Sequence, residues 1–538
     1  MTFRLAVILA LITLACYGPA LQADFVAGDR QFILKNELAG DPGTALHSFI
    51  ADYWSTLGGE SFVYYRPLTV LTHCLDTNLW GRSPAGHHAT NVVFHLLVSL
   101  LVFALFLRLL PGRSVVCFAG ALLFALHPIH THSVVYVMGR TDVLAALFCL
   151  PCLLMLCRQH CTDTQRALAA LCYLAALLCK EIAVTMPLLY GLYCLAAAPR
   201  PSRAQFLRTA VFLGAGLAAY LALRIAAIGL GGSPETTITC ALWQRSLLVF
   251  MTLGFYCAKL LLPLNLCYYS NLVVPHAGMG AFDIVLIAAG AVCAALMLVF
   301  VRRGMAGMAL AWIGITLLPV LNIIPLPVLA KENYLYLPSV GFCLLAAMAL
   351  DFLRRRLSTT VAAAVCAAIA LLYGMQLYLR TLDYRDPAAY LLSAVRAMRA
   401  VPPDELDTTP YFEGAKNWFT TCRNLGYLFE ERGEPERAEY WFLRALGYTA
   451  RYFDPAYAAE CRQALGELYV KQKRLAEARA QLEAALPGAA QPQKVYNLLG
   501  VCAAMRGDPA SAEAFFMKAL EIDPGFEPAG ANLARLRR

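Results

Sequence analysis

The chain has 538 residues, 59% of them hydrophobic and 15% charged, with a net charge of +9 and a mean hydropathy of +0.58. A soluble domain carries about 25% charged residues, so a single soluble globule is excluded, and apolar runs of roughly 20 residues point to many membrane crossings. The positive balance does not make a nucleic-acid binder, because the arginines lie in short clusters between apolar runs, with no basic stripe interleaved with aromatics.

The first apolar run, 3–22, has only Arg4 ahead of it and a poor cleavage site behind it. It therefore reads as a retained span rather than a signal peptide. A long polar loop, 23–90, follows, and "ADFVAGDRQFIL" at its start sets Asp24, Asp29 and Arg30 just past the span. Further along the loop Arg66 follows two tyrosines and precedes Pro67. Its planar fork suits a phosphate at the membrane surface, and a snorkelling anchor in an aromatic belt is the plain alternative.

Further apolar runs fall at about 91–110, 114–127, 134–157, 166–180, 182–198, 206–229, 246–263, 281–301, 305–323, 334–351 and 359–379. With the N-terminus in the cytoplasm, Arg108, Arg113, Arg158, Arg166, Arg200, Arg203 and Arg208 all fall inside, as the positive-inside rule requires. Arg302–Arg303 and Arg354–Arg356 stay inside only if 246–263 lies in the interface or is re-entrant, which suits Pro263 and the "CYYSN" patch after it. The expectation is an all-α protein of about eleven spans plus one interfacial helix.

This arrangement gathers the polar motifs at the outer face. His127, His130 and His132 occupy a turn at a span end. Three histidines at this spacing invite zinc, but no fourth ligand is evident, and no metal site is expected. Histidines that hydrogen-bond a phosphate, or plain helix-end packing, are the readings left. Arg140 and Asp142 share a "GRTD" turn inside an apolar run, where a charge is expensive and often functional; an internal Arg140–Asp142 pair is the alternative. Lys180–Glu181 joins two short spans, either as a structural ion pair or as part of a binding site, and Lys331–Glu332 leaves the same choice. Asn91 and His95 stand one helical turn apart and share a face.

Near Arg380 the apolar excess stops. Three segments then repeat one pattern in phase, near 419–452, 459–488 and 493–526. Leu425–Gly426, Leu465–Gly466 and Leu499–Gly500 start it, and Ala438, Phe442 and Ala445 recur as Ala478, Leu482 and Ala485, then Ala512, Phe516 and Ala519. A helix–turn–helix unit of about 34 residues with these small and aromatic positions is a tetratricopeptide repeat. Domains are therefore expected at 1–380 and 381–538, the second an α-solenoid whose groove takes a short protein segment. The 19 cysteines lie largely inside apolar runs and imply no disulfide framework.

Segments 64–97, 124–148, 179–189 and 317–341, taken with the repeats, resemble the transmembrane and tetratricopeptide-repeat O-mannosyltransferase-like family, within the C-type glycosyltransferases. The resemblance implies a membrane enzyme that takes a sugar from a polyprenyl-phosphate carrier and transfers it to an acceptor hydroxyl on the external face. In eukaryotic members the sugar is mannose and the acceptor a protein Ser or Thr. Such a transfer needs a base at the hydroxyl and cations at the leaving phosphate. The resemblance favours Asp29 over its rival Asp24 as the base, and Arg30, Arg66, His127, His130, Arg140, Lys180, Glu181 and Lys331 are the candidate donor-binding residues.

Three positions depart from the family pattern. Its paired acids align with Gly28–Asp29, the acid after its His-Pro-x-His segment is His132, and its Glu-Arg-Tyr is Glu332–Asn333–Tyr334. A lone Asp29 favours single displacement with inversion over the two-carboxylate route. The lipid-linked sugar is the only co-substrate implied, and no cofactor is. The competing expectation is an inactive membrane-anchored scaffold whose repeats assemble protein partners. An arginine-rich, alanine-rich composition is that of a GC-rich bacterium, which would place the protein in the inner membrane with its repeats periplasmic.

Overall fold

The computed structural model describes the chain from Met1 to Arg538 except residues 57–63, 159, 197–199, 230–239, 268–271, 273, 277–278, 302–303, 327, 399–412 and 453–454. The tyrosines of the "CYYSN" patch, Arg302 and Arg303 therefore lie outside the described residues. Among those described, regular structure is entirely helical. The chain divides into two units, Met1–Tyr390 and Leu391–Arg538.

In the first unit each apolar run becomes a helix: α1 (Thr2–Tyr17), α2 (Pro67–Trp80), α3 (Pro84–Leu109), α4 (Ser114–Leu126), α5 (Arg140–Leu156), α6 (Asp163–Cys179), α7 (Met186–Ala196), α8 (Arg203–Ile228), α9 (Leu242–Leu261), α10 (Ala281–Phe300), α11 (Gly304–Leu317), α12 (Pro338–Arg356) and α13 (Thr359–Leu382). Helix α2 is an addition, a 14-residue helix inside the long polar loop. Among the described residues, six helical segments are long and apolar enough to cross a membrane: Thr2–Gln22, α3, Val137–Leu156, α8, α10 and α13. The pair Ser114–Leu126 and Pro128–Val134, bent by 43°, makes a seventh if it is one span. This is an integral membrane helix bundle.

Helix α9, expected to be interfacial or re-entrant, is one unbroken 20-residue helix. It packs on α10 where Gly254 and Gly290 let the two backbones touch. A Cβ at Gly254 would meet the Leu286 carbonyl, and one at Gly290 the Phe250 carbonyl. The run expected from 134 starts later, at Arg140. Thr131–Val134 forms a turn of its own, and Val137–Gly139 adds a 3₁₀ turn before the helix.

The second unit holds three helix pairs, Glu413–Glu431 with Pro435–Tyr452, Pro455–Lys471 with Leu475–Ala485 and Pro492–Met505 with Pro509–Ile522, then a short helix, Glu527–Leu536. The repeat pattern has a packing reason. Cβ atoms at Gly426, Gly466 and Gly500 would lie 2.5 Å from Phe442, Leu482 and Phe516, respectively. Only glycine leaves room for the large residue 16 positions on. Ala438, Ala478 and Ala512 are fully buried beside these contacts. The turns within the pairs place Gly433, Lys473 and Gly507 in the left-handed region.

Candidate active site

Asp29 sits at the end of the first loop's opening turn and is fully buried. Its Oδ1 accepts from the Met138 N–H at 2.9 Å, and its Oδ2 from Val137 at 3.3 Å and Val26 at 3.4 Å. The donors at 137 and 138 are the free N–H groups of the 3₁₀ turn that leads into α5, and such groups bind anions. That turn is itself held: Asn91 Nδ2 donates to the carbonyl of Val134 at 3.0 Å, with those of Tyr136 and Val137 at 3.4 Å. One turn along α3, His95 bonds the Tyr336 hydroxyl at 2.7 Å and the Ala125 carbonyl at 3.0 Å. Asn91 thus buttresses the backbone that grips Asp29, while His95, on the same face, ties α3 to Tyr336 and to the end of α4.

Burial pushes the Asp29 carboxyl up to about 7, against the three backbone bonds and the Arg140 charge, which pull it down. A carboxylate has about four lone-pair positions. Three are occupied, so Oδ1 retains room for one more donor. Asp24 is exposed, and its Oδ1 only accepts from the next N–H, that of Phe25, at 2.7 Å.

The departure at Gly28 has a local cause. A Cβ at Gly28 would stand 2.6 Å from the Tyr136 hydroxyl and 3.4 Å from the Phe32 ring. Tyr136 in turn stacks on His132, with ring centroids 4.9 Å apart. The tyrosine thus fills the space a second acid would need and contacts the histidine at another departed position.

The cations form three pairs, none between chain neighbours. Arg140, fully buried, binds Asp76 at 2.5 Å and donates to the Thr72 carbonyl at 3.3 Å. Lys180 binds Asp142 at 2.5 Å and lies 5.0 Å above the Tyr334 ring. Arg66 grips Glu181 with contacts of 2.8 to 3.3 Å, its guanidinium 4.5 Å above Tyr64. The neighbour pairs Arg140–Asp142 and Lys180–Glu181, each one of two alternatives the sequence left open, do not form, and partners distant in the chain take their place. The reason is reach: α2 brings Asp76 to Arg140, while Lys180, at the end of α6, meets the start of α5. Asn333 Nδ2 donates to Asp142 at 2.7 Å, so the residue at the family's arginine position serves the same buried carboxylate as Lys180. Glu181 is held below its usual range: burial acts upward, and the Arg66 charge and hydrogen bonds outweigh it.

Of the other predicted residues, His127 and His130 lie side by side, ring centroids 5.8 Å apart, but take separate partners. His127 bonds the Leu260 carbonyl at 3.1 Å, His130 bonds Ser339 Oγ at 2.9 Å, and His132 bonds the Tyr384 hydroxyl at 3.2 Å. The three rings face different partners, and among the described residues no group of three His, Cys, Asp or Glu side chains is placed to hold a metal. Arg30 and Lys331 are half-buried. The Lys331 backbone N–H donates to the Tyr256 hydroxyl at 3.3 Å, and neighbouring Glu332 accepts from the Cys267 N–H at 2.6 Å.

Sequence reasoning missed Asp76, the carboxylate under Arg140, and His73 beside it. His73 is buried, with no hydrogen-bond partner for either ring nitrogen among the described residues, and is kept neutral by that burial. Both lie on α2, three residues apart. A helical periodicity within the supposed loop was the available signal.

Protein O-mannosyl-transferase TMTC3 of Homo sapiens is 26% identical over 487 residues, 82% of this chain and 51% of its own length. Protein O-mannosyl-transferase Tmtc1 of Drosophila melanogaster is 38% identical over 181 residues, 33% of this chain and 21% of its own length. The chain is a relative of the transmembrane and tetratricopeptide-repeat protein O-mannosyl-transferases. A tetratricopeptide repeat family model matches residues 493–526, the third of the repeats. The chain spans between a fifth and about half of the length of these two relatives. Among solved structures, ArnT from Cupriavidus metallidurans bound to undecaprenyl phosphate aligns over 95% of this chain and 79% of its own, at 13% identity and a TM-score of 0.38, too distant a likeness to carry an argument.

Proposed function

We propose that this relative of the O-mannosyl-transferases is itself a glycosyltransferase, moving a sugar from a polyprenyl-phosphate donor to an acceptor hydroxyl, a Ser or Thr of an exported protein, on the external membrane face. The observation that carries the reading is Asp29. It is an acid in the first loop, fully buried, with a carboxyl pushed to about 7. A general base works best with its pKa near the operating pH, and ordinary loop acids are solvated near 4.

In this reading the acceptor hydroxyl donates to the open position on Asp29 Oδ1. The acceptor oxygen attacks the anomeric carbon as its proton passes to Asp29, and the bond to the carrier phosphate breaks. One displacement inverts the anomeric centre. The departing phosphate needs a cation. Arg66 is the best placed of the three paired cations to supply one. Its partner Glu181 has a side chain 37% exposed, whereas Asp76 and Asp142 are 4% and 2% exposed. A phosphate can displace Glu181 without stranding a buried charge. Arg140 and Lys180 then act by holding the turn and α5 in place, with Arg30 and Lys331 as further donor contacts. No cofactor is assigned. The N-terminus is cytoplasmic, the membrane the bacterial inner one and the repeats periplasmic. Their groove presents the acceptor protein, within domains running 1–380 and 381–538.

A second reading has one observation behind it. Arg66, Arg140 and Lys180 each already hold a carboxylate, so none of the three stands ready for a donor phosphate, as in an inactive, membrane-anchored repeat scaffold. Intact-protein mass spectrometry of exported proteins separates the two. Cells carrying the protein should show a hexose-sized mass that is missing without it and with Asp29→Asn. A mass retained with Asp29→Asn removes the role of Asp29, and no mass with the intact protein favours the scaffold.

A further inference from the structure

Helix α5 has two ends with different chemistry. Asp29 and Arg140 mark its start; about 25 Å away, 17 residues at 1.5 Å each, Arg158 follows its end. There the ends of α3, α5 and α7 meet the starts of α6, α8 and α11 around a cavity of about 610 Å³. Among the described residues, four arginines from four segments line it: Arg108, Arg158, Arg166 and Arg200. The positive-inside rule explains why arginines occur at this face. It does not explain why they converge on one space.

Two of the four are committed. Arg108 donates to the Cys157 carbonyl at 3.0 and 2.8 Å, offsetting the negative end of α5. Arg166, buried, pairs with Asp163 at 2.5 Å and bonds Thr209 Oγ1 at 3.3 Å. Arg158 and Arg200 have no ion pair and no side-chain hydrogen bond among the described residues. Asp163, already taken by Arg166, is the one acid of the pairs at this cavity, and its side chain is 60% exposed. The starts of α6 and α8 have capping boxes, Thr162 with Gln165 and Ser202 with Gln205, so two N–H groups of each start are already bonded. What stays unmatched among the described residues is the charge of Arg158 and Arg200, both exposed, with Leu109, Leu156 and Met305 also lining the cavity.

We propose that this cavity binds the phosphate of an anionic lipid headgroup, in the leaflet opposite Asp29, with Arg158 and Arg200 as its ligands. Two guanidiniums lining one cavity can share an anion, and the planar fork matches phosphate oxygens two at a time. The apolar side chains in the lining suit the glycerol and the first methylenes of an acyl chain. A soluble phosphoester shares the headgroup chemistry but makes no use of those apolar side chains. The site stands whether or not Asp29 catalyses transfer.

The test is native mass spectrometry of the full-length protein in detergent, offered phosphatidylglycerol or phosphatidylcholine, with glycerol 3-phosphate as the soluble probe. Phosphatidylglycerol should be retained at least tenfold more than phosphatidylcholine. Arg158→Gln and Arg200→Gln, made singly and together, should remove that preference while the melting temperature in phosphatidylcholine stays unchanged. The single variants keep the test open should the double variant fail to fold. If glycerol 3-phosphate binds as tightly as the lipid, with the same arginine dependence, the phosphate site stands and its lipid assignment falls. Equal retention of the two lipids, or a preference that survives both substitutions, overturns the proposal.

Discussion

Replacing Asp29 by asparagine separates a catalytic acid from a structural tie, because the two make opposite predictions for stability. The carboxyl sits at about 7 in the folded protein against an ordinary 3.8. A group whose pKa is raised by folding contributes stability that is fully present below its unfolded value and is lost as pH rises through the folded one. From pH 4 to above pH 7 the intact protein therefore forfeits about 4 kcal/mol at this residue, at 1.36 kcal/mol per pH unit. An amide carries no such charge. It resembles the protonated acid in shape and keeps an acceptor for the N–H groups of Val137 and Val26, while the Met138 N–H faces an NH₂ group at a cost of about 1–3 kcal/mol. Asp29→Asn should thus be neutral to mildly destabilising at pH 5 and stabilising at pH 8.5. The assay is the melting temperature of both proteins in detergent across that range, read as their difference so that other titrating groups cancel. The intact protein should lose stability relative to the variant as pH rises. A variant less stable than the intact protein at pH 8.5 would refute the reasoning, since it would mean that the ionised carboxylate is well solvated by its three N–H partners.

Arg140→Gln should be severe, costing about 3–5 kcal/mol by stranding buried Asp76, and Asp76→Asn added to it should recover part of the folded yield in detergent. Gly28→Ala should destabilise through the Tyr136 hydroxyl 2.6 Å away. In a Tyr136→Phe background that penalty should shrink by about 1 kcal/mol, which a double-mutant cycle on melting temperatures reads directly. In the repeats, Gly500→Ala should cost about 1–3 kcal/mol by pushing a methyl into the Phe516 ring. Lys473→Gly should gain about 1 kcal/mol by relieving a left-handed lysine. Hydrogen exchange on full-length protein should show lower protection along Pro492–Met505 for the first and higher protection around the Lys471–Arg474 turn for the second.

The apolar runs and the repeats were legible because their causes are local. A run of roughly 20 apolar residues is a helix in lipid wherever it lies, and the glycine that makes room for Phe442, Leu482 or Phe516 is always 16 residues upstream. The residues of the candidate site were legible as chemistry but not as pairs. The sequence puts Arg140 two residues from Asp142 and Lys180 next to Glu181, and both neighbour pairs are wrong. Arg140 goes to Asp76, Lys180 to Asp142 and Arg66 to Glu181, separations of 64, 38 and 115 residues. A charge in an apolar medium takes whichever counter-ion packing brings within about 3 Å, and packing is a property of several helices at once. The same holds for Asp29. Its place after the first span is sequence; its burial, its three backbone donors and its carboxyl near 7 exist only once α3, the 136–139 turn and α5 have closed around it.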